Sequence, residues 1–402
     1  MTTENSTISG FVKTGFEAVR EAFVKNFQLR NELGAACCIY YKGEKVVDLW
    51  GGIRNEATGE PWEEDTMVLV WSTTKGLSAL AMALAHSRGL FDYDDPVSKY
   101  WPEFAQQGKE RITIRQLFAH QAGLFAFDEL GNKEIVADLD RLAVVLARQK
   151  PAWEPGTRHG YHGLTLGFYQ GELLRRVDPK GRSLGRYFQD EIAAPLDLDF
   201  YIRLPEDIPN TRLATLKSPK FGISAMRSAP IGFILAVMNP RSAARRALVG
   251  TEFCLDENRI YTRNYEVPSG GGVGTARAIA HAYGVFAAGG RELGVREETL
   301  QELKAPPVAP LHGFRDEVLK VETCYSLGFS RSLPNEPFGS PSVYGMPGTG
   351  GSYGFADPQY EIGYGYVLNG LGTSFPTDPR SDALCAAMYR SIGVKDQKLT
   401  GR

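Results

Sequence analysis

Apolar positions along the chain change their period twice. Between 15 and 29, Phe16, Val19, Phe23 and Phe27 recur at spacings of three and four, which predicts a helix with one buried face. Two strand-like runs follow, 35–42 and 45–51, separated by Gly43-Glu44, and read as a β-hairpin. Cys37 and Cys38 are neighbours on the first run, so they point to opposite faces and fill core. From Leu77 through Leu80, Ala81, Leu84 and Ala85 the spacing is helical again, stopping near Gly89, a plausible C-terminal cap.

The middle of the chain is mostly helical. The 91–97 stretch is a turn-rich connector, and 112–124 reads as a short strand leading into a helix ended by Gly123. Helices are predicted over 138–148 and 164–176, with Pro151, Pro155 and Gly156 as breakers between them. The 205–270 segment is rich in Pro, Gly, Ser and Arg and reads as loops with short helices. Strand character returns at 321–330, 342–345, 352–356 and 362–369, and a helix over 382–392 follows. Strands at both ends predict one sheet domain built from 11–100 and 320–395, with 101–319 as a mostly helical inserted domain and a cleft between them.

Composition narrows the function classes. The 402 residues are 43% hydrophobic and 23% charged, as in an ordinary soluble globular protein. A net charge of -2, from 45 basic and 47 acidic residues, gives no electrostatic reason to expect nucleic acid or an anionic membrane as partner. The first ten residues lack the basic and apolar regions of a secretory signal. The longest apolar run, 231–238, falls well short of the roughly 20 residues of a membrane span. Five scattered cysteines without a Cys-x-x-Cys pair argue against a disulfide framework or zinc site and for a cytoplasmic home.

The candidate chemistry centres on Val70-Trp71-Ser72-Thr73-Thr74-Lys75. Positions i and i+3 share a helix face, so Ser72 and Lys75 project into one volume. A serine hydroxyl needs a base, and burial at the positive end of a helix favours a neutral lysine that can serve as one. Tyr161, in His159-Gly160-Tyr161-His162-Gly163, follows a Pro-Gly turn and is a second proton-transfer candidate; near a lysine ammonium its phenolate is favoured. Gly345-Met346-Pro347-Gly348-Thr349-Gly350-Gly351-Ser352 is a glycine-dense strand edge whose backbone N–H groups suit an oxyanion hole.

The joint order Ser72-x-x-Lys75, Tyr161 and a glycine-rich C-terminal strand resembles the serine β-lactamase and penicillin-binding-protein superfamily, and within it the β-lactamase-like carboxylesterases known as family VIII esterases. The resemblance spans about 15–390, supported by Leu117-Phe118-Ala119-His120-Gln121-Ala122-Gly123-Leu124 and Gly354-Phe355-Ala356-Asp357-Pro358. It implies an α+β fold of the β-lactamase/transpeptidase type, a mainly antiparallel sheet flanked by helices beside a helical domain. It also implies Ser72 as acylated nucleophile, Lys75 and Tyr161 sharing general-base work, and an oxyanion hole from the N–H groups of Ser72 and Thr349, with Gly350 the neighbouring alternative. Met346, Gly348, Gly350, Gly351 and His162 are the expected substrate-binding positions.

Two departures bear on specificity. Where many β-lactamases place an asparagine two residues after the tyrosine, this chain has Gly163. Where the third motif begins with lysine or histidine, it has Met346, and a thioether cannot pair with a carboxylate. A lost charge-assisted hydrogen bond costs roughly 1.5–3 kcal/mol. The expectation is therefore a serine hydrolase of neutral carboxylic esters, a small-molecule substrate, without metal or other cofactor. β-Lactam or D-amino-acid peptide hydrolysis and acyl transfer are alternatives on the same residues. A catalytically silent binding protein is the alternative of another class, and a homo-oligomer is left open.

Overall fold

The computed structural model describes residues 8–127, 133–218, 231–239, 241–248, 260–263, 265–333, 338–374 and 377–394. Twelve strands occur among them: β1 Ile8–Val12, β2 Gly34–Tyr41, β3 Glu44–Asn55, β4 Glu60–Pro61, β5 Val68–Leu69, β6 Phe200–Tyr201, β7 Val273–Gly274, β8 Tyr325–Ser326, β9 Phe329–Arg331, β10 Tyr344–Pro347, β11 Tyr353–Asp357 and β12 Ile362–Leu368. Nine form one antiparallel sheet in the order β1-β3-β2-β12-β11-β10-β9-β8, with β4 paired onto β3; β5, β7 and β6 form a small second sheet. The large sheet thus joins the two ends of the chain through the β2–β12 ladder.

The hairpin turn falls one residue earlier than its sequence suggests. Tyr41 already faces Glu44, leaving Lys42-Gly43 as a two-residue turn, with φ of 53° and 77° as a type I′ turn demands. Cys37 packs in the cluster of Phe16, Phe23 and Leu384, and Cys38 in the larger cluster on the other face, as adjacent strand residues must. The N-terminal edge strand β1 carried no apolar alternation and was not expected.

Among the described residues, twelve α-helices cover the sheet and fill the middle of the chain: α1 Glu17–Leu29, α2 Thr73–Ser87, α3 Ile114–Phe118, α4 Lys133–Ala137, α5 Leu139–Arg148, α6 Thr165–Val177, α7 Leu184–Phe188, α8 Ile231–Met238, α9 Ala243–Leu248, α10 Ala276–Ala287, α11 Glu297–Lys304 and α12 Pro379–Ser391. The strand expected near 112 does not form. Thr113 instead caps α3, its hydroxyl accepting from Gln116 N–H while the Gln116 side chain accepts from Thr113 N–H.

Two helices fix the position of the site. All residues of α2 are buried, and its Ala, Gly and Ser content lets neighbours approach from every side. At Gly76 an added Cβ would lie 1.8 Å from the Tyr283 hydroxyl. Helix α10 falls within the 101–319 span yet lies against the large sheet, where a Cβ on Gly363 or Gly365 would come within 2.3 Å of the α10 carbonyls of Ala280 and Ala276. These glycines bring helix backbone onto strand backbone. Of the 205–270 segment, the described part contains α8 and α9; positions 219–230, 240, 249–259 and 264 lie outside the described residues.

Candidate active site

Ser72 sits at the start of α2, one residue after Trp71, whose φ of 48° puts a bulky residue in the left-handed region. Such a turn persists only where its surroundings hold it, and three anchors do. Thr74 donates its N–H and hydroxyl to the Trp71 carbonyl at 2.9 and 2.6 Å. Val70 N–H donates to Gly272 O at 2.9 Å. The Ser352 hydroxyl donates to Val70 O at 2.9 Å and lies 3.1 Å from Thr73 Oγ1.

Lys75 follows one turn later and is fully buried. Its Nζ lies 3.1 Å from Ser72 Oγ and donates to the carbonyls of Gly163 at 2.6 Å and Ser269 at 2.8 Å. Within reach of the Ser72 hydroxyl and of those two carbonyls, Lys75 is placed to exchange a proton with Ser72.

Tyr161 completes the cluster. Its Oη is 2.7 Å from Ser72 Oγ, and Lys75 Nζ lies 4.8 Å from its ring centroid. The ring stacks on Tyr325 at 5.9 Å and leans on His120 at 5.2 Å. Burial pushes the phenol's pKa up, outweighing the hydrogen bond with Ser72, and the Asp316 carboxylate adds to the rise. The phenolate favoured by a nearby ammonium is therefore not the resting form; Tyr161 is a phenol that donates to Ser72.

The glycine-rich strand edge closes the other side. A Cβ on Gly348 would lie 2.3 Å from Val70 O and 2.8 Å from Thr73 Oγ1, so the end of β10 abuts the Ser72 turn. Among the described residues, neither the Ser72 N–H nor the Thr349 N–H has a hydrogen-bond acceptor, which suits an oxyanion hole. Gly350 and Gly351 adopt φ of 86° and 122°, which favour glycine. Gly350 O accepts from Arg380 at 3.0 Å, and Arg380 is itself paired with Asp378 and Glu32 in the interior.

Two expected substrate contacts are elsewhere. Met346 is buried, with its Cβ facing Gly76 of α2, so its thioether packs in the core. His162 is fully buried. Its Nε2 accepts from Leu124 N–H at 2.9 Å and its Nδ1 lies 3.1 Å from His120 Nδ1, which itself accepts from the His162 N–H. Burial holds its pKa down at about 3, so it is neutral and supplies no positive group to a substrate. Gly163 offers its carbonyl to Lys75, and a side chain there would meet Ala247 O at 3.1 Å.

Sequence reasoning missed three contributors: Ser269, Ser352 and Asp316. The Pro268-Ser269-Gly270-Gly271-Gly272 run is as glycine-dense as the 345–352 edge, and that density was the available signal. Asp316 carried none for the site, because its contact there, the Tyr161 N–H, is 155 positions away in sequence.

The sequence model of the beta-lactamase family matches residues 21–387. The chain belongs to the beta-lactamase family. Within it, the chain is 32% identical to the esterase/beta-lactamase LipL of Mycobacterium tuberculosis over 380 residues, covering 90% of this chain and 83% of LipL. A family VIII carboxylesterase crystal structure superposes with a TM-score of 0.81 at 34% identity, covering 96% of this chain and 100% of the other. A penicillin-binding-protein homologue from Caulobacter crescentus matches at TM-score 0.82 and 34% identity, with the same coverage of 96% and 100%. The α+β beta-lactamase/transpeptidase-like fold expected from the sequence is the fold of this family.

Proposed function

We propose that this family member is a serine carboxylesterase that works through an acyl-enzyme on Ser72. The observation that carries the reading is the convergence on Ser72 Oγ of Lys75 Nζ at 3.1 Å and Tyr161 Oη at 2.7 Å. Neutral Lys75 takes the Ser72 proton as Oγ forms a bond to the ester carbonyl carbon. The carbonyl oxygen becomes an oxyanion held by the N–H groups of Ser72 and Thr349. The C–O bond to the alcohol then breaks, and the alcohol leaves with a proton passed from Lys75 through the Tyr161 phenol. A water molecule attacks the acyl-Ser72 carbonyl, giving its proton to the same pair; the bond from the acyl carbon to Ser72 Oγ breaks, Oγ takes that proton back, and the acid is released.

The neutral-ester preference rests on the surroundings of the serine. Met346 is packed away, His162 is neutral, and Gly163 is crowded by the Ala247 carbonyl. None of the three offers a positive group to a β-lactam carboxylate. In domain terms, 11–100 and 320–395 supply Ser72, Lys75 and Thr349, while 101–319 supplies Tyr161. Substrate then enters between them. A cytoplasmic setting suits the buried free thiols of Cys37, Cys38, Cys324 and Cys385.

The test is intact mass after exposure to p-nitrophenyl butyrate and to a fluorophosphonate, comparing the native chain with Ser72→Ala. Nitrophenol release with an adduct that depends on Ser72 is the expected result. Folded protein that gives neither would overturn the reading, and faster turnover of nitrocefin than of the ester would reassign the substrate.

A further inference from the structure

We propose that Asp316 is a positioning residue for the Ser72 reaction, acting through the backbone of Tyr161; the inference rests on the hydrolase reading above. Asp316 is fully buried. Its Oδ1 accepts from Val318 and Leu319 N–H, both at 2.8 Å, and from Tyr161 N–H at 3.2 Å. Its Oδ2 accepts from Tyr161 N–H at 3.0 Å and from the Thr323 hydroxyl at 3.1 Å. A carboxylate that accepts from so many donors is fixed in orientation. It ties the 316–323 loop to the one N–H that sets where the Tyr161 chain runs.

The neighbours extend the clamp. His159 Nε2 donates to Phe314 O at 3.0 Å and lies 3.1 Å from Thr323 Oγ1, while Glu317 N–H donates to His159 O at 3.0 Å. Tyr325, two residues beyond Thr323, stacks on the Tyr161 ring. One segment, 316–325, therefore holds Tyr161 at its backbone and at its ring. The outcome is the 2.7 Å distance between Tyr161 Oη and Ser72 Oγ. Proton transfer depends on that distance, and a displacement of about 1 Å at a reacting group can cost about a hundredfold in rate.

Asp316→Asn isolates the Tyr161 contact. An asparagine that keeps its carbonyl oxygen toward Val318 and Leu319 retains only the longer 3.2 Å contact with the Tyr161 N–H and sets its NH2 against that N–H, donor against donor, where Oδ2 accepted at 3.0 Å. The reverse flip sets the NH2 against two N–H groups. The Thr323 hydroxyl can turn round and accept. The expected result is a fall in kcat for p-nitrophenyl butyrate of about ten- to a hundredfold with KM changed less than about threefold. Thr323→Val, which leaves the Tyr161 contact intact, is expected within about threefold of the native rate.

The deciding experiment is a double-mutant cycle with Tyr161→Phe, with thermal melting of every variant in parallel. If Asp316 acts through the phenol, Asp316→Asn costs little once the phenol is gone, within about twofold. An equal loss in both backgrounds, or no loss in either, would overturn the proposal. So would a Thr323→Val loss as large as that of Asp316→Asn. Should Asp316→Asn not fold, Asp316→Ser takes its place in the same cycle, retaining an acceptor and admitting water. Fluorophosphonate labelling of Ser72 in the native chain keeps the two readings apart. Its absence sinks the hydrolase assignment, whereas its presence with an additive cycle sinks only the role of Asp316.

Discussion

The Tyr161 phenol donates to Ser72 Oγ at 2.7 Å and is kept neutral by its burial. Tyr161→Phe removes the proton carrier without disturbing the ring, which stays between Tyr325 and His120. General acid–base groups contribute about a hundred- to ten-thousandfold, so kcat/KM for p-nitrophenyl butyrate should fall by that range. The melting temperature should move little, since one buried hydrogen bond contributes about 1 kcal/mol. Steady-state kinetics beside a melting curve checks both. A variant within threefold of the native rate would remove Tyr161 from the mechanism.

Lys75 and Tyr161 were legible because local rules place them: a helical i+3 spacing and a tyrosine after a Pro-Gly turn. The two strands of the β2–β3 hairpin, the central helix and the last three strands were legible in the sequence, whereas 321–330, expected as one strand, is the short β8–β9 hairpin. What was not legible depended on distant pairing. Strand β1 is defined by its ladder to β3, since its own residues do not alternate. The 112–113 residues read as strand by composition, yet Thr113 finds an N–H three residues on and becomes a cap. Asp316 and Ser352 act on residues more than 150 positions away, and no local pattern encodes such contacts. Met346 and His162 stand where the motifs say, but which way a side chain faces is decided by neighbours such as Gly76 and His120.

The Ser352 hydroxyl joins the strand edge to the nucleophile turn through Val70 O and Thr73 Oγ1. Ser352→Ala removes that donor from the Val70 carbonyl, which keeps the Thr73 N–H at 3.2 Å, at a cost of about 0.5–1.5 kcal/mol. The turn also loses a support for the left-handed Trp71. Denaturant unfolding should show the stability loss, and single-turnover acylation should slow more than substrate binding weakens. Equal acylation rates for Ser352→Ala and the native chain would show that the other two anchors suffice.

Contact between α10 and β12 is backbone on backbone. A methyl at Gly365 would lie 2.3 Å from Ala276 O and 2.9 Å from Ala280 N, and neither atom can turn aside as a flexible side chain would. Overpacking typically costs about 1–3 kcal/mol, and a rigid contact belongs at the upper end or beyond. Gly365→Ala should therefore unfold at markedly lower urea concentration and accumulate poorly. Gly43→Ala is the comparison for open space, because nothing lies within 4 Å of its Cβ, although φ of 77° still costs it some stability. A Gly365→Ala midpoint no lower than that of Gly43→Ala would contradict the packing argument.

Two buried histidines contribute to the response to acid, opposed by Glu32 and Asp382, whose carboxyl pKa values burial raises to about 7. His162 is held neutral, with its pKa lowered from 6.5 to about 3 by burial, and His120 beside it is lowered in the same direction, chiefly by burial. In the unfolded chain each binds a proton near pH 6.5, so below that pH the unfolded state carries more protons than the native state. Stability contributed by the neutral pair is present in full above pH 6.5 and is lost as pH falls toward 3. The slope is about 1.4 kcal/mol per pH unit for each histidine. The contribution of the pair should therefore decline from pH 7.5 through 6 to 5, and urea titrations read it as the difference in slope between the native chain and a His162 variant. His162→Gln, whose amide oxygen can accept from Leu124 N–H in place of Nε2, should be less stable at pH 7.5 yet show a shallower decline. An unchanged slope in that variant would mean that His162 already carries its proton in the native state, against the donor it receives from Leu124.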